Sequence, residues 1–252
     1  MPGGIEQGPS TGGLLCGVYG LCLVTSRLIT APFWPYSRQM LSWLRGHESP
    51  ERAAARAAPF KAKGLVFQGA LAFYDQNVPG GSAEVLKTLA KTQPSAEEFF
   101  AQSFVAGGWY DVTPIVPLSQ AAAHVAGMAQ QRLIRDNAAW LARRDLNGVY
   151  KAVLSLASPE VVAKRLPGLS LRYFDFGGTD EVTSTAKSLS AVRTGIPHSL
   201  ADWFMHCMEG FVPVALALAG AFDVRVRCTQ LEERGAATDG AIVSFKIDVS
   251  WT

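Results

Sequence analysis

Cysteine, histidine and charge are all scarce in this chain. Its 252 residues include 4 cysteines and 4 histidines, and 17% of them are charged. Cys16, Cys22, Cys207 and Cys228 are too few and too widely spaced for a disulfide framework. This favours a reduced compartment, so we predict a cytoplasmic protein. No cysteine or histidine pair has the spacing of a zinc motif, and the sequence therefore predicts no metal site.

Basic and acidic residues nearly balance, with 23 Lys and Arg against 21 Asp and Glu. Nucleic-acid binding usually requires a clustered basic face, so no nucleic acid is expected as a partner. The sequence also lacks the Gly-x-Ser-x-Gly elbow, the P-loop and the Gly-x-Gly-x-x-Gly fingerprint. It therefore predicts no catalytic residue, and a hydrolase or transferase is the least favoured of three functional hypotheses.

The first 60 residues differ in composition from the rest. Residues 1–13 are rich in glycine and proline and have no periodicity, which is typical of a poorly ordered extension. The apolar run from Leu14 to Val24 is shorter than the roughly 20 residues that a membrane-spanning helix needs. We interpret residues 1–60 as an extension and linker, with at most weak membrane contact through residues 14–44. Residues 61–252 are predicted to form a single ligand-binding-like α+β domain.

Apolar residues at helical spacing dominate the chain from residue 60 to residue 144. The first helix is predicted to stop at the Pro79-Gly80-Gly81 turn, and Ser82 and Ser95 offer N-caps for the next two. Glycines and prolines in residues 107–118 predict an extended loop. One long helix is predicted from Ser119 through about residue 144.

Helix start and stop signals are densest between Trp140 and Gly178. Periodic apolar residues at 146–156 predict a helix with one buried face. Ser158-Pro159-Glu160 combines an N-cap with proline at the first helical position and predicts the start of another helix. Pro167-Gly168 is predicted to end it, and residues 169–176 are predicted to form a last short helix.

Alternation replaces helical periodicity after Gly178. Residues 179–186 and 189–194 predict a hairpin, and 198–219 predict a helix. Two further strands are predicted at 224–229 and 244–251, each with one apolar and one polar face. The predicted order is β-β-α-β-β. The fold class is therefore α+β, with a helical N-terminal half packed on a four-stranded antiparallel sheet.

The chain contains the segment DLNGVYKAVLSLASPEVVAKRLPGLSLRYFDFGG, which is followed by a hairpin, a helix ending in LALAG and strands ending in tryptophan. This combination resembles a myxobacterial protein family. That family is distantly similar to haem-NO-binding and four-vinyl-reductase-type ligand-binding domains. The resemblance spans roughly Lys63 to Trp251 and implies an apolar pocket between helices and sheet. The chain lacks the Tyr-x-Ser-x-Arg signature of the first type and the cysteine-rich end of the second. We therefore predict neither haem nor zinc, and no other cofactor.

Aromatic side chains supply the functional hypothesis. The candidate ligand-binding residues are Trp140, Tyr150, Arg172, Tyr173, Trp203, Cys207 and Phe211. Large aromatics at helical spacing usually form a core, but they also suit a pocket for a small hydrophobic or planar molecule. Arg172 and Arg193 are candidate anchors for an acidic group of such a ligand. We predict a non-enzymatic sensory or ligand-binding module that signals through a partner.

The alternative hypothesis is a ligand-free interaction or scaffold subunit that forms a dimer. A monomer whose light scattering does not change with concentration would contradict this alternative. The two hypotheses also differ in the interior that they require. A ligand-binding module needs an empty volume where the helices that begin near Asp145 and His198 face the sheet, whereas a scaffold needs none.

Overall fold

The computed structural model describes residues 60–146, 157–231, 236–237 and 240–252. Residues 1–59 of the predicted extension and residues 147–156 of the helix predicted at 146–156, which include Tyr150, lie outside the described residues. The helical half contains β1 (Lys61–Lys63), α1 (Gly64–Asn77), α2 (Gly81–Thr92), α3 (Pro94–Phe100), β2 (Trp109–Asp111), α4 (Ile115–Ala126), α5 (Gln130–Asp145) and α6 (Pro159–Ser170).

The second half is built around an antiparallel sheet. Its elements are β3 (Gly178–Thr185), β4 (Ser188–Pro197), α7 (His198–Leu218), β5 (Arg225–Gln230), β6 (Ala236–Ala237) and β7 (Gly240–Ser250). The main strands are ordered β3-β4-β7-β5, and the two-residue β6 pairs with one end of β7. The predicted α+β class and the β-β-α-β-β order are therefore confirmed.

The alternation predicted for the last strand is present and fixes which face of the sheet is buried. Val243, Phe245, Ile247 and Val249 are all at most 5% exposed. The register pairs Leu189 of β4 with Val249 of β7. Because side chains alternate along a strand, these residues form one continuous apolar face, and this face packs against α7.

The long helix predicted from Ser119 to residue 144 is wrong, because the chain forms two helices there. Gly127 ends α4 in the left-handed conformation, with φ 63°, and its amide donates to the carbonyls of Ala123 and His124. Glycine at this position is a common helix C-terminus, since it carries no Cβ that the left-handed conformation would strain. Ala129 is extended, and α5 begins at Gln130.

The loop predicted for residues 107–118 is also more regular than expected. Trp109–Asp111 pairs with Lys61–Lys63 in a two-stranded ribbon, and α4 begins at Ile115, before the predicted Ser119. The carboxylate of Asp111 accepts from the amide and hydroxyl of Thr113, each at 2.9 Å, and this Asx turn leads into the helix.

Some helix boundaries depart from the predicted caps, and one matches them. α2 and α3 begin one residue before the predicted N-caps, Ser82 and Ser95. Ser158 does cap α6, where its hydroxyl accepts from the amide of Val161 at 3.4 Å. The predicted stop at Pro167 is wrong, because α6 continues to Ser170. The Ser170 hydroxyl donates to the Pro167 carbonyl at 2.8 Å. Residues 171–173 form turns rather than a further helix.

A membrane-spanning helix needs roughly 20 predominantly apolar residues. None of the described helices is both long enough and apolar enough to cross a membrane.

Candidate ligand cavity

An apolar cavity of about 100 Å³ lies between the helices and the sheet. Its walls come from α1, α4, α5, α6 and α7 on one side and from β4 and β7 on the other. α7 therefore borders a partly open empty volume against the sheet, which is part of what the ligand-binding hypothesis requires. The helix predicted after Asp145 lies outside the described residues.

The structure places the predicted binding residues in two groups. Four of the seven line the cavity: Tyr173, Trp203, Cys207 and Phe211. Trp140 and Arg172 do not. The Trp140 ring packs edge-on against Phe73, at 6.0 Å between centroids, and Arg172 is exposed. Tyr150 is outside the described residues. A binding role for any of these residues stays a prediction.

Three buried polar residues, Asn137, Ser170 and Arg193, line the cavity, and only Arg193 was singled out from the sequence. Arg193 was a candidate anchor, whereas Asn137 on α5 was missed. Asn137 falls four residues after the buried Leu133 and four before Leu141, so it interrupts the apolar stripe of its helix. A polar residue in such a stripe is a signal that could have identified it.

Arg193 reaches from β4 to the last turn of α6. Its Nη1 donates to the Pro167 carbonyl at 3.2 Å and to the Thr179 hydroxyl, and its Nη2 donates to the Ser170 hydroxyl at 2.7 Å. The guanidinium also lies over the Phe204 ring, 5.8 Å from the centroid. Burial lowers the pKa of Arg193 to about 10, and the charge of Asp180 opposes this shift. At neutral pH the side chain remains a cation.

Asn137 and Arg193 each carry a polar atom without a hydrogen-bond partner. Among the described residues, the buried side-chain atoms left without one are Asn137 Oδ1 and Arg193 Nε. Leaving a buried polar group unsatisfied costs about 1–3 kcal/mol, and more for a charged group. Such atoms are rare in folded proteins and call for an explanation, and here both belong to residues that line one cavity, Asn137 from the helical side and Arg193 from the sheet side.

The remaining titratable groups around the cavity do not form a nucleophile–base pair. Burial raises the pKa of Cys207 well above its usual range, so the side chain remains a thiol, whereas the thiolate is the reactive form. The Tyr173 hydroxyl donates to Asp145 Oδ2 at 3.4 Å, and Arg144 Nε donates to Asp145 Oδ1 at 2.7 Å. These lining side chains therefore provide no activated nucleophile.

A polar cluster on the outer side of α5 and α7 joins two walls of the cavity. Arg135 Nη1 lies 3.2 Å from Glu209 Oε2, and His206 Nδ1 lies 2.8 Å from the same oxygen. Arg135 Nη1 is also 3.2 Å from His206 Nδ1. His206 Nδ1 can accept from Arg135 or donate to Glu209 but cannot do both. We call Arg135, His206 and Glu209 the α5–α7 latch.

The latch is expected to contribute little to stability. The Arg135 and Glu209 side chains are 41% and 21% exposed, and partly exposed ion pairs contribute about 0.2–1 kcal/mol. A double-mutant cycle with Arg135→Gln and Glu209→Gln, measured by urea unfolding, should give a coupling energy of about 0.5–1 kcal/mol that falls at high salt.

The Arg132–Asp136 pair on α5 provides a matched control for this cycle. It is longer, at 3.6 Å, and its side chains are 71% and 52% exposed, so its coupling energy should be smaller than that of Arg135 and Glu209. Equal coupling in the two pairs, or none at Arg135–Glu209, would show that the latch does not hold α5 to α7.

The class of fold follows from this architecture together with comparison to solved structures: the domain has an H-NOX-like α+β fold. The structure of Fe(II) unliganded H-NOX protein from K. algicida superposes with a TM-score of 0.54 at 15% identity, covering 75% of this chain and 96% of that chain. A variant of the S. oneidensis H-NOX protein in the Fe(II) state gives 0.50 at 12% identity, with coverages of 75% and 96%. No family model and no curated protein matches the sequence. The resemblance inferred from the sequence is thus confirmed at the level of the fold.

The residues around the cavity do not fit a haem. Haem iron is held by histidine, cysteine thiolate, methionine or tyrosine, most simply by a proximal histidine. The histidines in the described part of the chain, His124, His198 and His206, do not line the cavity, and Cys207 is a neutral thiol. Met208 and Tyr173 do line it, but methionine ligates haem together with a histidine, and the Tyr173 hydroxyl is hydrogen-bonded to Asp145 Oδ2. The volume of about 100 Å³ is also well below the roughly 300–1,000 Å³ of pockets for drug-sized ligands, and a porphyrin is at least that large.

Proposed function

We propose that this domain is a ligand-binding sensory module that takes a small, largely apolar molecule into the cavity between its helices and its sheet. The observation that supports this proposal most directly is the cavity itself. It is lined mainly by aliphatic and aromatic side chains, with a few buried polar groups among them. That combination is typical of small-molecule sites, where apolar walls supply affinity and a few polar groups supply orientation.

The size of the cavity bounds the ligand. An apolar cavity of about 150 Å³ is large enough to bind benzene or xenon. At about 100 Å³, this cavity is smaller than that one, so it accepts a single atom such as xenon without rearrangement. A larger ligand would require α5, α6 or α7 to move.

A sensor must also change a surface that a partner protein recognises when the ligand binds. α5 and α7 both line the cavity, and the α5–α7 latch lies on their outer side. A ligand that fits one spacing of these helices better than another shifts the population toward that spacing. We propose that the signal leaves the cavity along this helix pair.

Filling the cavity tests the proposal. Ala138 on α5 is 5% exposed and lines the cavity. Ala138→Met should occupy the volume and leave the fold intact, because it adds apolar atoms where space exists. Xenon, benzene and indole should raise the melting temperature of the wild type and perturb its methyl NMR spectrum, and Ala138→Met should reduce their affinity at least about tenfold.

Ala139→Met is the matched control. Ala139 follows Ala138 on the same helix, is half-buried and does not line the cavity, so this variant should bind the probes like the wild type. Failure of every apolar probe to bind the wild type, or equal losses in both variants, would contradict binding in this cavity.

A further inference from the structure

Arg193 is a buried cation without a carboxylate partner. It is 2% exposed, and the ion pairs formed among the described residues do not include it. Asp180 contributes at longer range, while its own Oδ2 accepts from the Thr194 hydroxyl at 3.2 Å. A buried charge is costly unless it is paired, so a nearby anion would stabilise this side chain strongly.

The partners that Arg193 does have are neutral. It donates to one backbone carbonyl, that of Pro167, and to the hydroxyls of Thr179 and Ser170. Pro167 and Ser170 lie in the last turn of α6, where the helix dipole supplies roughly half a negative charge. The end of the helix therefore offsets only part of the guanidinium charge.

The donors left over match a carboxylate. A guanidinium has five N–H groups, and the three hydrogen bonds of Arg193 use three of them. The Nε–H has no acceptor, and one N–H of Nη2 also remains. Two N–H groups on neighbouring nitrogens of a guanidinium are the fork that binds both oxygens of a carboxylate.

The rest of the cavity restricts the ligand to one acidic group. Its wall presents the rings of Trp203, Phe174 and Phe211, with aliphatic side chains around them. The other buried polar side chain there with an unpartnered atom is Asn137, whose neutral amide can hydrogen-bond a ligand but cannot balance a second charge. A second carboxylate would be buried without compensation.

We infer that the cavity binds a small monocarboxylic acid, with its carboxylate on Arg193 and its apolar tail against the aromatic wall. This inference rests on the proposed ligand-binding function and names the chemical class of the ligand. It assigns Arg193 as the residue that determines specificity for the anion.

Hexanoate and its uncharged analogue hexanamide test the inference on the full chain. Isothermal titration calorimetry at pH 7 should show hexanoate binding at least about tenfold more tightly than hexanamide, because the amide cannot pair with the charge of Arg193. Arg193→Gln should remove this preference, and Arg193→Lys should restore part of it, since lysine keeps the charge but loses the fork.

Arg165→Gln is the control, because this exposed arginine on α6 does not line the cavity, and it should leave the preference unchanged. If Arg193→Gln fails to fold, the affinities of the wild type for hexanoate and hexanamide still test whether the cavity prefers the acid. Equal affinity of hexanoate and hexanamide would overturn the acid inference but leave the apolar-ligand proposal standing. Absence of binding by these probes and by xenon would overturn both.

Discussion

Gly210→Ala is expected to lower the free energy of unfolding by at least about 2 kcal/mol. Gly210 is buried on α7 where that helix crosses α5, and a Cβ built there would lie 2.2 Å from the carbonyl oxygen of Arg135. The carbonyl carbon and Cα of Arg135 would each be 2.9 Å away. These are backbone atoms, so the two helices must separate to admit one methyl group. Overpacking of this kind costs about 1–3 kcal/mol or more.

The sign of this effect makes it diagnostic. In an unconstrained helix, replacing glycine by alanine stabilises by about 0.5–1 kcal/mol, because glycine loses more backbone entropy on folding. Urea unfolding followed by circular dichroism measures the change. A gain in stability would show that α5 and α7 do not approach each other as closely as the structure has them.

Gly69→Ala on α1 is the control for Gly210→Ala. Its Cβ would meet Leu141 Cδ2 at 2.3 Å and the guanidinium nitrogens of Arg144 at 3.1 and 3.3 Å. All three are ends of flexible side chains that can rotate away. The change in unfolding free energy should therefore stay within about 1 kcal/mol, because the gain in helix propensity offsets the displacement.

Phe204→Ala is expected to be the most destabilising single substitution, at about 3–5 kcal/mol. Phe204 is 0% exposed, and its ring centroid lies 5.3 Å from that of Phe174, 5.9 Å from Phe176 and 6.1 Å from Phe245. The Phe204 ring thus connects α7 both to the segment that follows α6 and to the sheet. Truncation removes contacts with all three and leaves a cavity that the backbone cannot fully close.

Phe222→Ala provides the comparison for Phe204→Ala. Phe222 is 72% exposed, so its truncation should change the unfolding free energy by no more than about 0.5 kcal/mol. The same urea titrations measure both variants. A loss below about 1 kcal/mol in Phe204→Ala would mean that this ring does not anchor α7 to the sheet.

Elements with a strong local signal were predicted closely. The alternation at Phe245, Ile247 and Val249 placed the last strand, because period-two burial has one geometric solution. Ser158 and Pro159 placed the start of α6, because an N-cap and a first-turn proline act within a few residues. Each signal is local in the chain and needs no knowledge of the rest of the fold.

Boundaries that depend on distant contacts were predicted less well. Pro167 normally disfavours a continuing helix, yet α6 extends past it to Ser170, and Arg193, 26 residues away from Pro167 in sequence, donates to its carbonyl. Trp109–Asp111 forms a strand because Lys61–Lys63 lies beside it. A single-sequence pattern does not contain such pairings, since they arise only when the chain has folded.

The cavity residues also divide into those that a local pattern predicted and those that depend on distant contacts. Trp203, Cys207 and Phe211 were grouped from the sequence because residues four apart lie on one face of a helix. Trp140 belongs to a similar pattern on α5 but packs on Phe73 and Arg144 instead. Which stripe of a helix borders an empty volume depends on how the helices pack, and periodicity does not specify that.

The sequence by itself therefore determined the α+β class, the β-β-α-β-β order and a set of aromatic residues that suits an apolar pocket. Only the tertiary structure decided that α7 leaves a cavity against the sheet, and that Asn137 and Arg193 border it with unpartnered polar atoms. The physical reason is the range of the interactions. Periodicity and capping act over a few residues, whereas the satisfaction of a buried charge depends on every element packed around it.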